Sequence, residues 1–279
     1  MSRTIARIVA GSLMLLLPLV ASASLLNDPA NPVQFRAGTE IGFVKVLTNQ
    51  IQFGRDGTMF DYVKEGGESN LYRFSRLTAE VGINKRHNII FLVQPLDVTT
   101  QVLLSQDLRV DSLTFPAETP VTLRYGFDFY RVSYLYNFLK DPEKELSIGA
   151  SLQFRDAAIS FASQDGGSFR SEQNVGPVPA LKARLFWPFG RQSFIGAEVD
   201  GLYATSKLIN GASFSFEGSI LDASLRYGLK FSESLTGFIN LRYLGGNAKG
   251  QGYRGQNHSD GYTDNSLGTA AVTVGCYLK

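Results

Sequence analysis

Hydrophobic and polar residues alternate with period two along much of this 279-residue chain. The clearest stretch is 146–155, Leu-Ser-Ile-Gly-Ala-Ser-Leu-Gln-Phe-Arg. Leu146, Ile148, Ala150, Leu152 and Phe154 fall on one side, and Ser147, Gly149, Ser151, Gln153 and Arg155 on the other, the spacing of a two-faced β-strand. Residues 180–189, 194–203, 221–231, 235–244 and 267–278 repeat the pattern. Earlier segments are less regular. Residues 76–83 set Leu77, Ala79, Val81 and Ile83 against Arg76, Thr78 and Glu80, whereas 37–47 carries Lys45 in its apolar phase. Residues 87–102 hold a nearly continuous apolar run and then Pro95, which leaves their register the least defined. In 121–138 the apolar phase slips at Phe129-Tyr130, and the neighbouring strand slips at Arg155-Asp156.

The connections alternate between two kinds. Asn84-Lys85-Arg86, Asp141-Pro142-Glu143, Gly190-Arg191 and Ser232-Glu233-Ser234 are tight polar turns. Residues 48–69, 103–119, 163–176, 207–212 and 247–265 are longer and rich in Gly, Ser, Asn and Asp. Two-faced strands joined alternately by short and long connections predict a transmembrane antiparallel up-and-down β-barrel, with short turns inside the cell envelope and long loops outside. Ten strands place both chain ends on the short-turn side, and twelve would require residues 102–111 to cross as well. Because 121–138 exceeds the roughly 9–11 residues that span a bilayer, the paired slips predict β-bulges where that hairpin leaves the membrane.

The polar faces carry charges of both signs that would meet across hairpins. Lys182 and Arg184 come opposite Glu198 and Asp200 across one turn, and Asp222 comes near Arg242 across another. Unpaired buried charge is very costly, so facing opposite charges suit a filled interior. The predicted lumen charges are Arg76, Glu80, Arg155, Lys182, Arg184, Glu198, Asp200, Asp222, Arg226 and Arg242. A soluble barrel with the apolar face inside is the competing arrangement. Barrels near eight strands are filled by side chains, so a wide aqueous channel is not expected; a narrow path for a small solute is the alternative.

Composition places this barrel in an envelope. Residues 1–23 read as a secretory signal peptide: Arg3 and Arg7, an apolar run, then Ala21-Ser22-Ala23 as a cleavage site. The run is interrupted by Pro18 and falls short of the roughly 20 residues of a spanning helix. The expected organisation is residues 1–23 as signal, 24–36 as a periplasmic lead-in and 37–279 as the barrel. The 27 basic residues, less Arg3 and Arg7, equal the 25 acidic ones, which argues against a nucleic-acid binder. Twenty phenylalanines and twelve tyrosines suit aromatic girdles.

Candidate chemistry is sparse. Cys276 is the only cysteine, so an internal disulfide is impossible; its strand phase points it toward lipid. His87 borders a short turn and reads as an interfacial residue. His258, in Asn257-His258-Ser259-Asp260, offers the only loop-borne hydrolase centre, though sequence adjacency is a poor guide to nucleophile–base geometry. Omptin proteases pair Asp-Asp with Asp-His at the barrel rim, and no such spacing occurs here. Outer-membrane lipid hydrolases use His-x-Ser, and His258-Ser259 lacks the spacer. No catalytic, cofactor-binding or metal-binding residues are assigned, and no cofactor is expected.

The signal peptide, the alternation of strands and turns, His87-Asn88-Ile89 with Gln94-Pro95-Leu96, and Tyr125–Tyr136 together resemble uncharacterised bacterial outer-membrane β-barrel proteins. The resemblance covers nearly the whole mature chain and carries no known activity. It implies an integral protein of the bacterial outer membrane with a structural or loop-mediated interaction role. Its expected partners are outer-membrane lipids, lipopolysaccharide and the barrel-assembly machinery, with no nucleic acid.

Overall fold

A computed structural model describes residues 31–141, 143–205, 215–251 and 260–279, with the backbone alone at 155, 156, 174–176 and 215. The signal segment 1–23 and His258 lie outside the described residues. Among these, fourteen strands occur: β1 (Val33–Phe53), β2 (Phe60–Asp61), β3 (Leu71–Ile83), β4 (His87–Gln94), β5 (Asp97–Leu103), β6 (Leu108–Val110), β7 (Leu113–Phe115), β8 (Pro120–Asn137), β9 (Glu145–Ser163), β10 (Phe169–Phe189), β11 (Ser193–Thr205), β12 (Ser215–Lys230), β13 (Leu235–Gln251) and β14 (Tyr262–Leu278). All wall pairings are antiparallel, and β14 closes the sheet against β1. With β4 and β5 sharing one position, the barrel has ten strands.

Both members of that shared position pair with β8 in one unbroken register, from His87 opposite Tyr136 to Leu103 opposite Pro120. Pro95, which has no N–H to give, interrupts the ladder without displacing it. Residues 102–111 do not cross the membrane: they end β5 and enter the small β6–β7 hairpin. The wall also starts earlier than expected. Val33–Arg36 pair with Ile83–Glu80, so the end of the 24–36 lead-in belongs to β1.

The expected bulges at the paired slips are absent. β8 and β9 pair without a shift from Val121 opposite Ser163 to Asn137 opposite Ser147, and β9 and β10 likewise from end to end. What changes at the slip is chemistry, not geometry. Odd residues of β8 face inward throughout; Arg131 and Ser133 are buried below the slip, and Val121, Leu123, Tyr125, Phe127 and Phe129 above it. The register shift that does occur lies between Val46 and Thr48, on the β1–β14 seam.

The barrel is therefore divided along its axis. In the lower part the outside is apolar. Ile41, Leu77, Phe91, Ile148, Leu225, Leu241 and Val274 are among many large hydrophobic side chains left exposed, far beyond what a water-soluble surface carries. Their band is the one that lipid covers. Near the short turns His87, Tyr134, Tyr136, Phe138, Trp187, Phe189 and Phe231 form an aromatic rim, with His87 Nδ1 2.7 Å from the Tyr134 hydroxyl. Above the band the arrangement inverts: the inside becomes an apolar core, built on Phe53, Phe60, Tyr62, Phe115, Phe127 and Phe161, while outward positions turn polar. Phe60, Tyr62 and Phe161 pack ring to ring at 5.2–6.2 Å between centroids. Strands of up to 21 residues reach well past the bilayer to carry this second core.

Candidate functional site

The lumen at membrane level is filled by stacked ion pairs. Each member is an inward residue of a strand whose outward neighbours face lipid, so alternation alone delivers the charge to the interior. In the layer nearest the short turns, Arg184 clasps Glu80 through two hydrogen bonds of 2.8 Å and reaches Glu145 at 2.7 Å, while Arg36 approaches Glu80 at 2.5 Å. Glu80 sits on β3 and Arg184 on β10, so this pair spans the barrel rather than a hairpin.

The middle layer centres on Glu40 and Glu198. Arg226 donates to Glu198 at 2.6 Å and lies 3.3 Å from Glu40, whose other oxygen accepts from Asn240 at 2.7 Å and Thr273 at 3.0 Å. Arg76 is 3.9 Å from Glu198, the loosest contact of the set. In the upper layer Arg131 stands 2.9 Å from Asp200 and 2.8 Å from Asp222, and donates to Gln153 at 2.7 Å. Lys182 meets Asp200 at 2.7 Å and Glu198 at 3.1 Å, and Arg242 pairs with Asp222. Toward the short turns the rings of Phe186 and Phe194 lie 4.7 Å apart and those of Phe238 and Tyr277 4.8 Å apart, with Tyr277 between Arg36 and Arg226. Glycines make room for these rings: a Cβ at Gly228 or Gly275 would strike Phe194 or Phe238.

Of the residues predicted for the lumen, Arg76, Glu80, Lys182, Arg184, Asp200, Asp222, Arg226 and Arg242 are buried inside the barrel, and Glu198 nearly so. Lys182 pairs with Asp200 and Arg184 with Glu198 in the ladder. Arg155 lies on β9, and its side chain falls outside the described residues. Sequence reading missed Arg36, Glu40, Arg131 and Glu145. Arg131 alternates with Tyr130, Val132 and Tyr134, a pattern that marks it once the strand is taken as unbroken. Glu40 was hidden because the bulge beyond Val46 and the outward Lys45 blur the phase of β1.

Such burial is no great source of stability, because desolvation offsets most of the attraction between paired ions. Its effect is specificity and closure. Charges of opposite sign bridge the lumen at three successive levels. Among the described residues no group of histidine, cysteine or carboxylate side chains is arranged to hold a metal ion.

A different space opens above the upper ion layer. On the β10–β14 side of the apolar core lies a cavity of about 350 Å³. Leu202, Phe216, Ile220 and Leu244 contribute to its walls and Gln153 to its floor.

No family model matches this sequence, and no curated protein matches it. Among solved structures, the outer membrane protease OmpT from Escherichia coli is 8% identical, with 88% of this chain and 96% of OmpT covered at a TM-score of 0.49. Ail, the attachment invasion locus protein of Yersinia pestis, is 9% identical over 88% of this chain and 99% of its own, at 0.35. The toluene transporter TodX of P. putida is 10% identical over 89% and 90%, at 0.33. The similarity is one of outer-membrane β-barrel architecture, and no activity passes through it to this chain.

Proposed function

We propose that this chain is a sealed, non-enzymatic β-barrel of the bacterial outer membrane that holds an extracellular extension in place for interaction with partners. The observation that carries this reading is the ion-paired lumen. Arg184–Glu80, Arg226–Glu40 and Arg131–Asp222 each join strands that are not neighbours, at three successive levels. A solute moving along the axis would have to break buried pairs, at a cost of about 3–5 kcal/mol for each one broken. The membrane band fits outer-membrane lipids, and the polar outward surface above it fits lipopolysaccharide headgroups. Insertion of such a closed sheet calls on the barrel-assembly machinery, and the even charge balance gives nucleic acid no attraction.

Two measurements test the reading. The protein should stay with envelopes washed in alkaline carbonate, and its release would end the integral assignment. Purified barrels in planar bilayers should show no conductance above the lipid background; reproducible steps would replace the sealed barrel with a narrow solute channel.

A further inference from the structure

Above Leu181 the barrel wall parts. β10 remains paired with β9 as far as Phe169, but its ladder with β11 ends where Leu181 faces Gly201. β11 continues to Thr205 on β12 alone. Among the described residues, no ladder pair joins 169–180 to 202–205. Two prolines stand on this edge of β10, Pro177 and Pro179. They share one parity, and the β9–β10 ladder runs through both without a shift. The N–H groups they lack are therefore those that would have faced β11. The sequence of β10 thus keeps this seam from zipping.

The parting lies at the lipid–water boundary. Leu181 and Leu221, on the outside just below it, are exposed apolar residues, whereas Glu217 and Asn247 stand outward above it. Between them Tyr203 turns its ring outward and donates its hydroxyl to Glu217 at 2.8 Å, as an interfacial tyrosine does.

Directly behind the seam is the cavity of about 350 Å³, with Val178 of β10 and Leu202 and Ala204 of β11 at its near side. Its far walls are mainly apolar. Its floor rests on the upper ion layer through Gln153. At that floor Gln153 is almost wholly buried; its Oε1 accepts from Arg131, while its Nε2 has no protein partner. A buried donor without a partner costs about 1–3 kcal/mol, a penalty that a bound acceptor would relieve.

We propose that this cavity binds a neutral, mainly apolar molecule carrying one hydrogen-bond acceptor, admitted sideways between β10 and β11 from the lipid–water boundary. At about 30 Å³ per water-sized group, the space suits roughly a dozen non-hydrogen atoms. The acceptor meets Gln153 Nε2 and the hydrocarbon fills the apolar walls. The size and lining match those of preformed small-molecule pockets. The inference does not depend on whether the lumen conducts.

Undecan-2-one is a suitable probe. Barrels released from nanodiscs and weighed by native mass spectrometry should carry one molecule of the ketone, at an occupancy at least about fivefold above that of undecane, the gain expected of one hydrogen bond. Ala204→Trp, which fills the cavity, should abolish the adduct, and lipid-facing Val199→Trp should keep it. Heat-modifiable gel mobility certifies that each variant is folded, and Ala248→Trp on the far wall replaces Ala204→Trp if the latter does not fold. A wild-type barrel without adduct, or a folded cavity-filling variant that keeps it, overturns the site. Occupancy equal to that of undecane removes the role of Gln153. For the side entrance, Pro179→Cys in a Cys276→Ser background is coupled to a bulky maleimide. Exchange of deuterated for ordinary ketone should then slow at least tenfold, and an unchanged rate refutes the lateral route.

Discussion

Arg131→Met isolates the role of the buried charges. The guanidinium is almost completely enclosed, stands within 2.9 Å of both Asp200 and Asp222, donates to Gln153, and lies 5.3 Å over the ring of Phe129. Asp200 and Asp222 are direct cross-strand partners in the β11–β12 ladder. Without the arginine two carboxylates face each other, an arrangement that is destabilising even on an open sheet. Removing one partner of a buried pair costs about 3–5 kcal/mol. Lys182 and Arg242 continue to neutralise the two aspartates, so the lower end, about 3 kcal/mol, is expected. Adding Asp222→Asn removes one of the opposed charges and should restore at least about 1 kcal/mol. Trp187 is the chain's one tryptophan, and it is exposed on the outer face of the barrel. Urea unfolding of vesicle-inserted protein, followed by its emission, measures the wild type and both variants. A loss below about 1 kcal/mol, or a double variant no more stable than Arg131→Met, would refute the account of opposed charges.

Three other perturbations probe separate parts of the barrel. In the extracellular connection between β2 and β3, burial lifts the Glu68 carboxyl from 4.5 to about 7, against a lowering hydrogen bond from Asn49. A raised carboxyl holds its proton better when folded, so this part of the structure should lose about 3 kcal/mol as pH rises from about 4.5 to about 7. Glu68→Gln should flatten that slope in hydrogen exchange of the loop, and parallel pH curves would contradict the assignment. Leu241→Arg puts a charge on the lipid-facing band and should cost about 2–4 kcal/mol in vesicles, whereas Asn247→Arg, above the band, should cost almost nothing; equal effects would misplace the membrane. Phe161→Ala opens the upper core at a cost of about 3–5 kcal/mol. It should speed surface proteolysis of the loops while leaving heat-modifiable mobility intact, and loss of the barrel itself would mean that the two parts are not separable.

Much of the wall was legible because alternation is a direct image of the pleat. The late hairpins place Lys182, Arg184, Glu198 and Asp200 by parity alone, and the ladder has them facing as read. The upper barrel was harder to see for a physical reason. Between Phe129 and Tyr130 the surroundings change from lipid to water, so the apolar residues change faces while the backbone does not. A pattern that equates a phase change with a bulge misreads this point. Residues 163–176 read as a connection because they are rich in Gly, Ser and Asn, yet β10 pairs with β9 from Phe169 onward, and pairing on that one side is enough to sustain a strand. Contacts across the barrel, such as Arg184 with Glu80 104 residues away, leave no mark on local spacing at all.

The division of the barrel into a charged lower lumen and an apolar upper core also orders its assembly in time. The lower wall can bury its outward side chains only in lipid, whereas the upper core needs only water outside it. That core draws on β1 to β9, with Leu244, Leu267 and Ala271 from the last two strands. Its final members therefore arrive only when β14 meets β1 and the sheet is complete. Until then the long segments from the first half of the chain hold a core that lacks the side chains of the last two strands. A protease-resistant outer surface is thus the mark of a barrel whose seam has already closed.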